Sequence, residues 1–157
     1  MLFRSPKTSE WNQNFLDPNL NNYRANSQGA FGANSAPDIT CKLDKTNVCV
    51  VSGGNSLTLN GEICNRGTKM VASLMPASFY ALNGDGTLGE KYCTSYTSAN
   101  VPVGGCLPVS CTVNGENLGN VSIRMIANDD GEGGRTTVEC NYDNNTDEVT
   151  ITGCAAN

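Results

Sequence analysis

Histidine is absent from the 157 residues of this chain. That removes the usual general base near neutral pH, the commonest metal ligand, and the Ser-His and Cys-His nucleophile pairs. Aromatic residues are scarce at 6%, and only 38% of the chain is hydrophobic, so its core is modest. The apolar runs are a few residues long, too short for a membrane-spanning helix. Positive charge is in deficit, with a net charge of −5 and a pI of about 4.6. A basic footprint for nucleic acid or anionic lipid is therefore missing. No two cysteines form C-x-x-C, which removes the zinc-finger and zinc-ribbon spacings. Neither S-x-x-K nor G-x-S-x-G occurs. The glycine pairs Gly53-Gly54, Gly104-Gly105 and Gly133-Gly134 lack the strand–loop–helix setting of a phosphate cradle.

What the chain does have is turn chemistry and cysteine. It carries 17 glycines among abundant Asn, Ser and Thr, a composition that suits short strands joined by many turns. Eight cysteines are scattered along it: Cys41, Cys49, Cys64, Cys93, Cys106, Cys111, Cys140 and Cys154. An even number in such a background reads as disulfides formed in an oxidising compartment, with buried free thiols as the plain alternative. Spacing alone does not choose the pairing.

Residues 1–36 show no sustained periodicity and read as an irregular linker. A helical turn at "DPNLNNYR" is the one local signal, with Asp17 as cap and Pro18 at the first helical position. Trp11, Phe15, Leu16, Leu20 and Tyr23 could dock on a neighbour. "MLFRSPK" has neither the apolar stretch nor the cleavage site of a signal peptide. "LFRS" is also what the end of a common sequencing adapter encodes in one frame. The expectation is that residues 1–5 are an assembly artefact and that the protein continues upstream.

From Pro37 onward the pattern becomes β. "DITCKL", "NVCVVS", "SLTLNGEICN", "ASFYAL", "EKYCTSYT", "CLPVSCTV", "NVSIRMIA" and "DEVTITG" are short β-prone runs between turn signals. Leu57, Leu59 and Ile63 alternate with Thr58, Asn60 and Glu62, and Gly61 could allow a bulge. Ile123 and Met125 alternate with Ser122 and Arg124 in the same way. The expected fold is all-β, an immunoglobulin-like or fibronectin-like antiparallel sandwich of seven to eight strands over residues 37–154. The strands around residues 119–127 and 147–152 should be neighbours, with residues 128–145 as the excursion between them.

Several stretches carry a resemblance. They are "APDIT" at 36–40, "LNGEICNRGT" at 59–68 with its N-x-G ending, and "PASFYALNGDGTLG" at 76–89. "VPVGGCLPVSCTV" at 101–113 joins them. "IRMIANDDGEGGRTTVECNYDNNTDEVTI" at 123–151 is the most specific, with Asn141, Asn144 and Asn145 at its asparagine positions. Together, residues 36–154 resemble the CARDB family, the cell adhesion related domain found in bacteria. "EWNQNFLDPNLNNYRAN" at 10–26 is similar to the linker that precedes such domains in bacterial proteins with FG-GAP or VCBS repeats, with Asn14 where those read His. The resemblance implies a β-sandwich module of a large secreted or surface protein.

Three kinds of chemistry can be placed on the chain. Calcium wants six to eight oxygen ligands. One loop offers Asp129, Asp130, Glu132, Glu139, Asp143, Asn145 and Asp147, without the spacing of an EF-hand. "NGDGTLGE" offers Asn83, Asp85, Thr87 and Glu90 in partial alternation. Both loops read first as turns, because Asn and Asp bond their own backbone and tolerate left-handed conformations. Asp129 with Asp130, or Glu139 with Asp143, is a carboxylate pair for glycoside hydrolysis only if a buried pocket raises one pKa. Phe79, Tyr80, Tyr92 and Tyr96 could line a carbohydrate face, though alternation sends Phe79 inward and Tyr80 outward. Asn120-Val121-Ser122 and Asn144-Asn145-Thr146 match the glycosylation pattern.

The expectation is a non-catalytic extracellular structural or adhesion module without a cofactor. Its partners are neighbouring domains of the parent protein and a surface glycan or protein, not nucleic acid or a membrane. The alternative is a calcium- or carbohydrate-binding module on the same scaffold.

Overall fold

The computed structural model describes residues 36–139 and 141–155. The expected linker, its helical turn and its artefactual start therefore lie outside the described residues, apart from Ala36, as does Cys140. Among the described residues every regular element is a strand, and no helix is long and apolar enough to cross a membrane.

Nine strands follow in order. They are β1 (Ile39–Leu43), β2 (Cys49–Val50), β3 (Ser56–Asn65), β4 (Pro76–Leu82), β5 (Leu88–Tyr96), β6 (Cys106–Asn114), β7 (Ser122–Ala127), β8 (Thr146–Thr150) and β9 (Thr152–Gly153). All eight β-prone runs become strands. The ninth arises because "DEVTITG" splits at Ile151, whose side chain turns fully into the core.

One sheet has the order β1-β3-β6 and the other β5-β4-β7-β8, both antiparallel. Their apolar faces meet. Phe79, Ile123 and Met125 from one sheet are completely buried, as are Ile39, Ile63 and Val113 from the other. Each such side chain contributes about 1.5–3 kcal/mol by leaving water. The architecture is the expected all-β sandwich. β7 and β8 are neighbours, pairing Ser122 with Thr150 through Ile126 with Thr146. β2 and β9 depart from the antiparallel expectation, running parallel as a two-residue ribbon.

Gly61 makes no bulge, since β3 keeps an unbroken register against β6. A side chain there would meet the Lys42 carbonyl at 2.9 Å and Met125 Sδ at 3.0 Å. Glycine is required because the opposite sheet's methionine packs onto the strand. The irregularity lies instead in β5, which takes extra residues where it pairs with Phe79 to Leu82 of β4.

Three disulfides staple the sandwich. Cys64–Cys106 joins directly paired residues of β3 and β6. Cys93–Cys111 links β5 to β6, and so one sheet to the other. Cys49–Cys154 clamps the β2–β9 ribbon across 105 residues of chain. Cys41 forms no disulfide with a described residue. Its Sγ lies 3.0 Å from the Asn145 carbonyl, and burial pushes its thiol pKa up to about 12.

Candidate functional site

The residues that carry the sequence's chemical signals gather on the excursion between β7 and β8. Its organiser is Asn128, buried and left-handed at φ 58°. An asparagine tolerates that conformation where most side chains do not. Its amide N–H donates to the Pro76 carbonyl at 2.8 Å, which fixes the end of β7 to the start of β4. Its Oδ1 accepts the amides of Thr136 and Thr137, each at 3.0 Å. Its Nδ2 donates to the Thr137 carbonyl at 2.6 Å and to Glu139 Oε1 at 2.8 Å.

Glu139 is completely buried, which is expensive for a carboxylate unless donors surround it. Oε1 accepts Asn128 Nδ2 and, at 2.5 Å, Asn145 Nδ2. Oε2 accepts the amide of Ile39 at 2.6 Å. Burial holds its pKa above the ordinary carboxylate value, opposed by the bonds from Asn128, Asn145 and Ile39. The loop closes over it, with the Glu139 amide donating to Tyr142 Oη at 3.3 Å and Arg135 lying 3.8 Å over the Tyr142 ring.

Among the described residues β1 is an edge strand, so its outward amides have no β-partner there. Glu139 caps the first of them, Ile39. Asp147, on β8 of the opposite sheet, caps Leu43 through Oδ2 at 2.8 Å. Its Oδ1 accepts Lys45 Nζ and the Glu148 amide at 2.8 and 2.9 Å. Burial alone would raise the Asp147 pKa, but Lys45 and the two amides together hold it below the ordinary value. Two carboxylates thus substitute for a ladder along the seam between β1 and β8. The opposite seam, between β5 and β6, is closed by the Cys93–Cys111 disulfide.

The other candidates go elsewhere. Asp129 accepts Tyr80 Oη and the Gly131 amide, each at 2.8 Å. Burial, followed by the Asp129 carboxylate, raises the Tyr80 pKa to about 12. Asp130 Oδ1 accepts the amides of Glu132 and Gly134, and these bonds lower its pKa. Glu132 pairs with Lys91 at 3.1 Å. Asp143 is exposed. In the β4–β5 hairpin, Asp85 Oδ1 accepts Thr87 Oγ1 and the Thr87 amide, while Asn83 Nδ2 donates to Thr87 Oγ1. The structure therefore brings Glu139 and Asn145 together in one place and Asn83, Asp85 and Thr87 together in a hairpin turn, and sends the other candidates elsewhere.

Among the described residues, the one place where three potential metal-binding side chains approach one another is Glu62, Cys64 and Cys106, and both sulfurs there are spent on a disulfide. Facing three N–H donors, Glu139 is coordinated as an anion would be and does not fit a cation. Two buried oxygens nevertheless have no partner among the described residues, Asn144 Oδ1 and Asn145 Oδ1. Asp129 and Asp130 accept different turn amides, and Glu139 is buried where Asp143 is exposed. Of the aromatics, Phe79 is buried, Tyr92 packs on the core, Tyr80 bonds Asp129 and Tyr96 is exposed.

Sequence reasoning missed the roles of Asn65 and Asn128. Asn65 is completely buried, receives the Gly67 amide at 3.0 Å and donates to the Lys69 carbonyl at 2.7 Å. Its signal was the N-x-G ending of "ICNRG". A Cβ on Gly67 would run into the backbone of Ala36 and Asp38. For Asn128 the signal was an Asn opening "NDDG".

No protein-family model and no curated protein matches this chain. Among solved structures it is similar to the CARDB domain of a Pyrococcus furiosus protein, crystallised in complex with di-metal ions. That likeness has 22% identity and a TM-score of 0.48, covering 74% of this chain and 90% of that one. A solution NMR structure of the same domain gives 19% identity and a TM-score of 0.49, covering 75% and 97%. The likeness concerns the fold alone.

Proposed function

We propose that this chain is a non-catalytic structural or adhesion module of a larger secreted or surface protein. The observation that carries the reading is the use made of the chain's acids. The carboxylates nearest to forming a site, Glu139 and Asp147, are turned onto the backbone of β1 and stabilise the sandwich. Asp129 and Asp130 are held by turn amides in the same way. The missing histidine supports the reading, and three disulfides support an oxidising compartment. The adhesion part comes from the CARDB resemblance of residues 36–154. Neighbouring domains of the parent protein and a surface glycan or protein are the partners it suggests, met through loops at one end. The purified oxidised chain should show no turnover of chromogenic ester, phosphate and glycoside substrates above a heat-denatured control. Turnover that follows the folded chain through chromatography overturns the reading.

A second reading is a calcium- or carbohydrate-binding module. The buried, unpartnered oxygens of Asn144 and Asn145 favour it, because a buried acceptor without a partner costs stability unless something fills the need. Calorimetric titration with calcium and with a glycan panel separates the two. Heat of binding supports the second reading, and flat titrations support the first.

A further inference from the structure

Cys64 and Cys106 stand directly opposite each other, at the end of the register that pairs β3 with β6. Glu62 lies two residues before Cys64, and alternation along a strand sends both side chains to the same face of the sheet. That face is the outer one, because Ile63 between them is buried in the core. One carboxylate oxygen of Glu62 and the two sulfurs all lie within 4.8 Å of one another. Two ligands held about 2.0–2.3 Å from a common tetrahedral ion are about 3.3–3.8 Å apart. The three atoms are therefore already gathered on the scale of a coordination shell.

The disulfide between the cysteines withholds both sulfurs, but it is placed to open. A surface cavity of about 600 Å³ is lined by Glu62 and Cys106, and also by Lys42 and Pro108. Cys106 is half-buried where Cys64 is buried, so Cys106 Sγ is the sulfur that an incoming thiol reaches. Exposed disulfides are the labile ones. Opening this one also leaves the fold its other supports. β3 and β6 remain joined along their whole register, from Ser56 with Asn114 to Cys64 with Cys106. Cys93–Cys111 still holds the two sheets together, and Cys49–Cys154 still holds the β2–β9 ribbon. Glu62 is free for a ligand, since no described residue bonds its carboxylate.

We propose that Cys64, Cys106 and Glu62 form a redox-gated site for a thiophilic divalent cation of the zinc class. A dithiol opens it. One thiolate attacks Cys106 Sγ and forms a mixed disulfide there, and the S–S electron pair leaves on Cys64 Sγ. The second thiolate of the dithiol then attacks its own partner sulfur, and Cys106 leaves as a thiolate. The reductant ends as its disulfide, and its two protons pass to the two cysteines. The cation displaces those protons to water and takes two thiolate sulfurs and a Glu62 oxygen, with water in the fourth position. Thiolates select zinc over calcium or magnesium. The three anionic ligands exceed the charge of the ion by one, and Lys42, opposite Glu62 in the β1–β3 register, supplies an offsetting cation. In the oxidised chain the site is closed, so its occupancy follows the thiol status of the surroundings.

The test uses the full oxidised chain, treated with dithiothreitol and desalted under argon, with cobalt as a visible stand-in for zinc. Alkylation and mass spectrometry should find Cys64 and Cys106 opened while Cys49–Cys154 and Cys93–Cys111 persist and the circular dichroism is unchanged. Cobalt should then give a thiolate-to-metal charge-transfer band that zinc abolishes, and the untreated chain should give none. The paired variant Cys64→Ser with Cys106→Ser should give no band after the same treatment, which separates the site from the remaining cysteines. Glu62→Gln should open as readily as wild type and bind zinc severalfold more weakly. Because it keeps every cysteine, it decides the matter should the serine pair not fold. The proposal is overturned if the opened chain gives no band or if the band survives in the serine pair. It is equally overturned if zinc binding is indifferent to Glu62, or if the disulfide opens only as the fold is lost.

Discussion

Glu139 Oε2 accepts the amide of Ile39 at 2.6 Å, across 100 residues of sequence. The bond fastens the edge strand that begins the sandwich to the loop that precedes β8. Removing the carboxylate leaves three buried donors unmatched, from Ile39, Asn128 and Asn145. Glu139→Ala should cost about 3 kcal/mol or more in urea unfolding. A loss within about 0.5 kcal/mol, the range of an ordinary surface substitution, would show that the cap contributes little.

The same carboxyl sets a pH signature. Its folded pKa lies above the ordinary 4.5, so its contribution is complete below 4.5 and is lost as pH rises through the folded value. Asp147 acts in the opposite sense. Its folded pKa lies below 3.8, so its contribution is present above 3.8 and is lost as pH falls through the folded value. The stability gap between wild type and Glu139→Gln should therefore be wider at pH 4 than at pH 7. Melting curves across that range check it, and a gap that widens toward pH 7 contradicts it.

Gly67 tests the close approach of two backbones. Gly67→Ala places a methyl against Ala36 and Asp38 and should cost about 1–3 kcal/mol. Gly84→Ala, at a hairpin position with nothing within 4 Å of the added methyl, should be near neutral. Equal losses by denaturant titration would remove the steric explanation.

The disulfides should rank by the length of chain they close. Cys49–Cys154 spans 105 residues and Cys93–Cys111 spans 18. On a chain-entropy basis a loop near 100 residues contributes about 4.7 kcal/mol and one near 15 about 3. The double serine variant at 49 and 154 should therefore melt lower than the one at 93 and 111. The reverse order would mean that the bridge between the sheets matters more than loop closure.

The strands were legible because period two is a local property. Leu59 and Ile63, or Ile123 and Met125, announce their face without reference to the rest of the chain. The role of Gly61 was not legible, because it depends on Met125 arriving from the other sheet. The loop after β7 was legible as turn chemistry at Asp130, whose carboxylate accepts nearby amides. Glu139 was not, since its role depends on sheet order. Only when β1 stands at an edge beside β8 does a carboxylate at 139 find an unpaired amide at 39. Residue types that suit calcium also suit capping an amide, and the sequence does not say which donors will face them.

The acids around β8 serve the backbone. A thermal melt of the oxidised chain in excess calcium, repeated with a chelator, puts this to the test. If Glu139 and Asp147 are edge caps facing N–H donors, the two curves superimpose. Saturation of a site in the native chain would raise stability by about 2.7 kcal/mol at one hundred times Kd. A melting temperature that rises with calcium and falls back with the chelator would contradict the claim and make the free oxygens of Asn144 and Asn145 ligands.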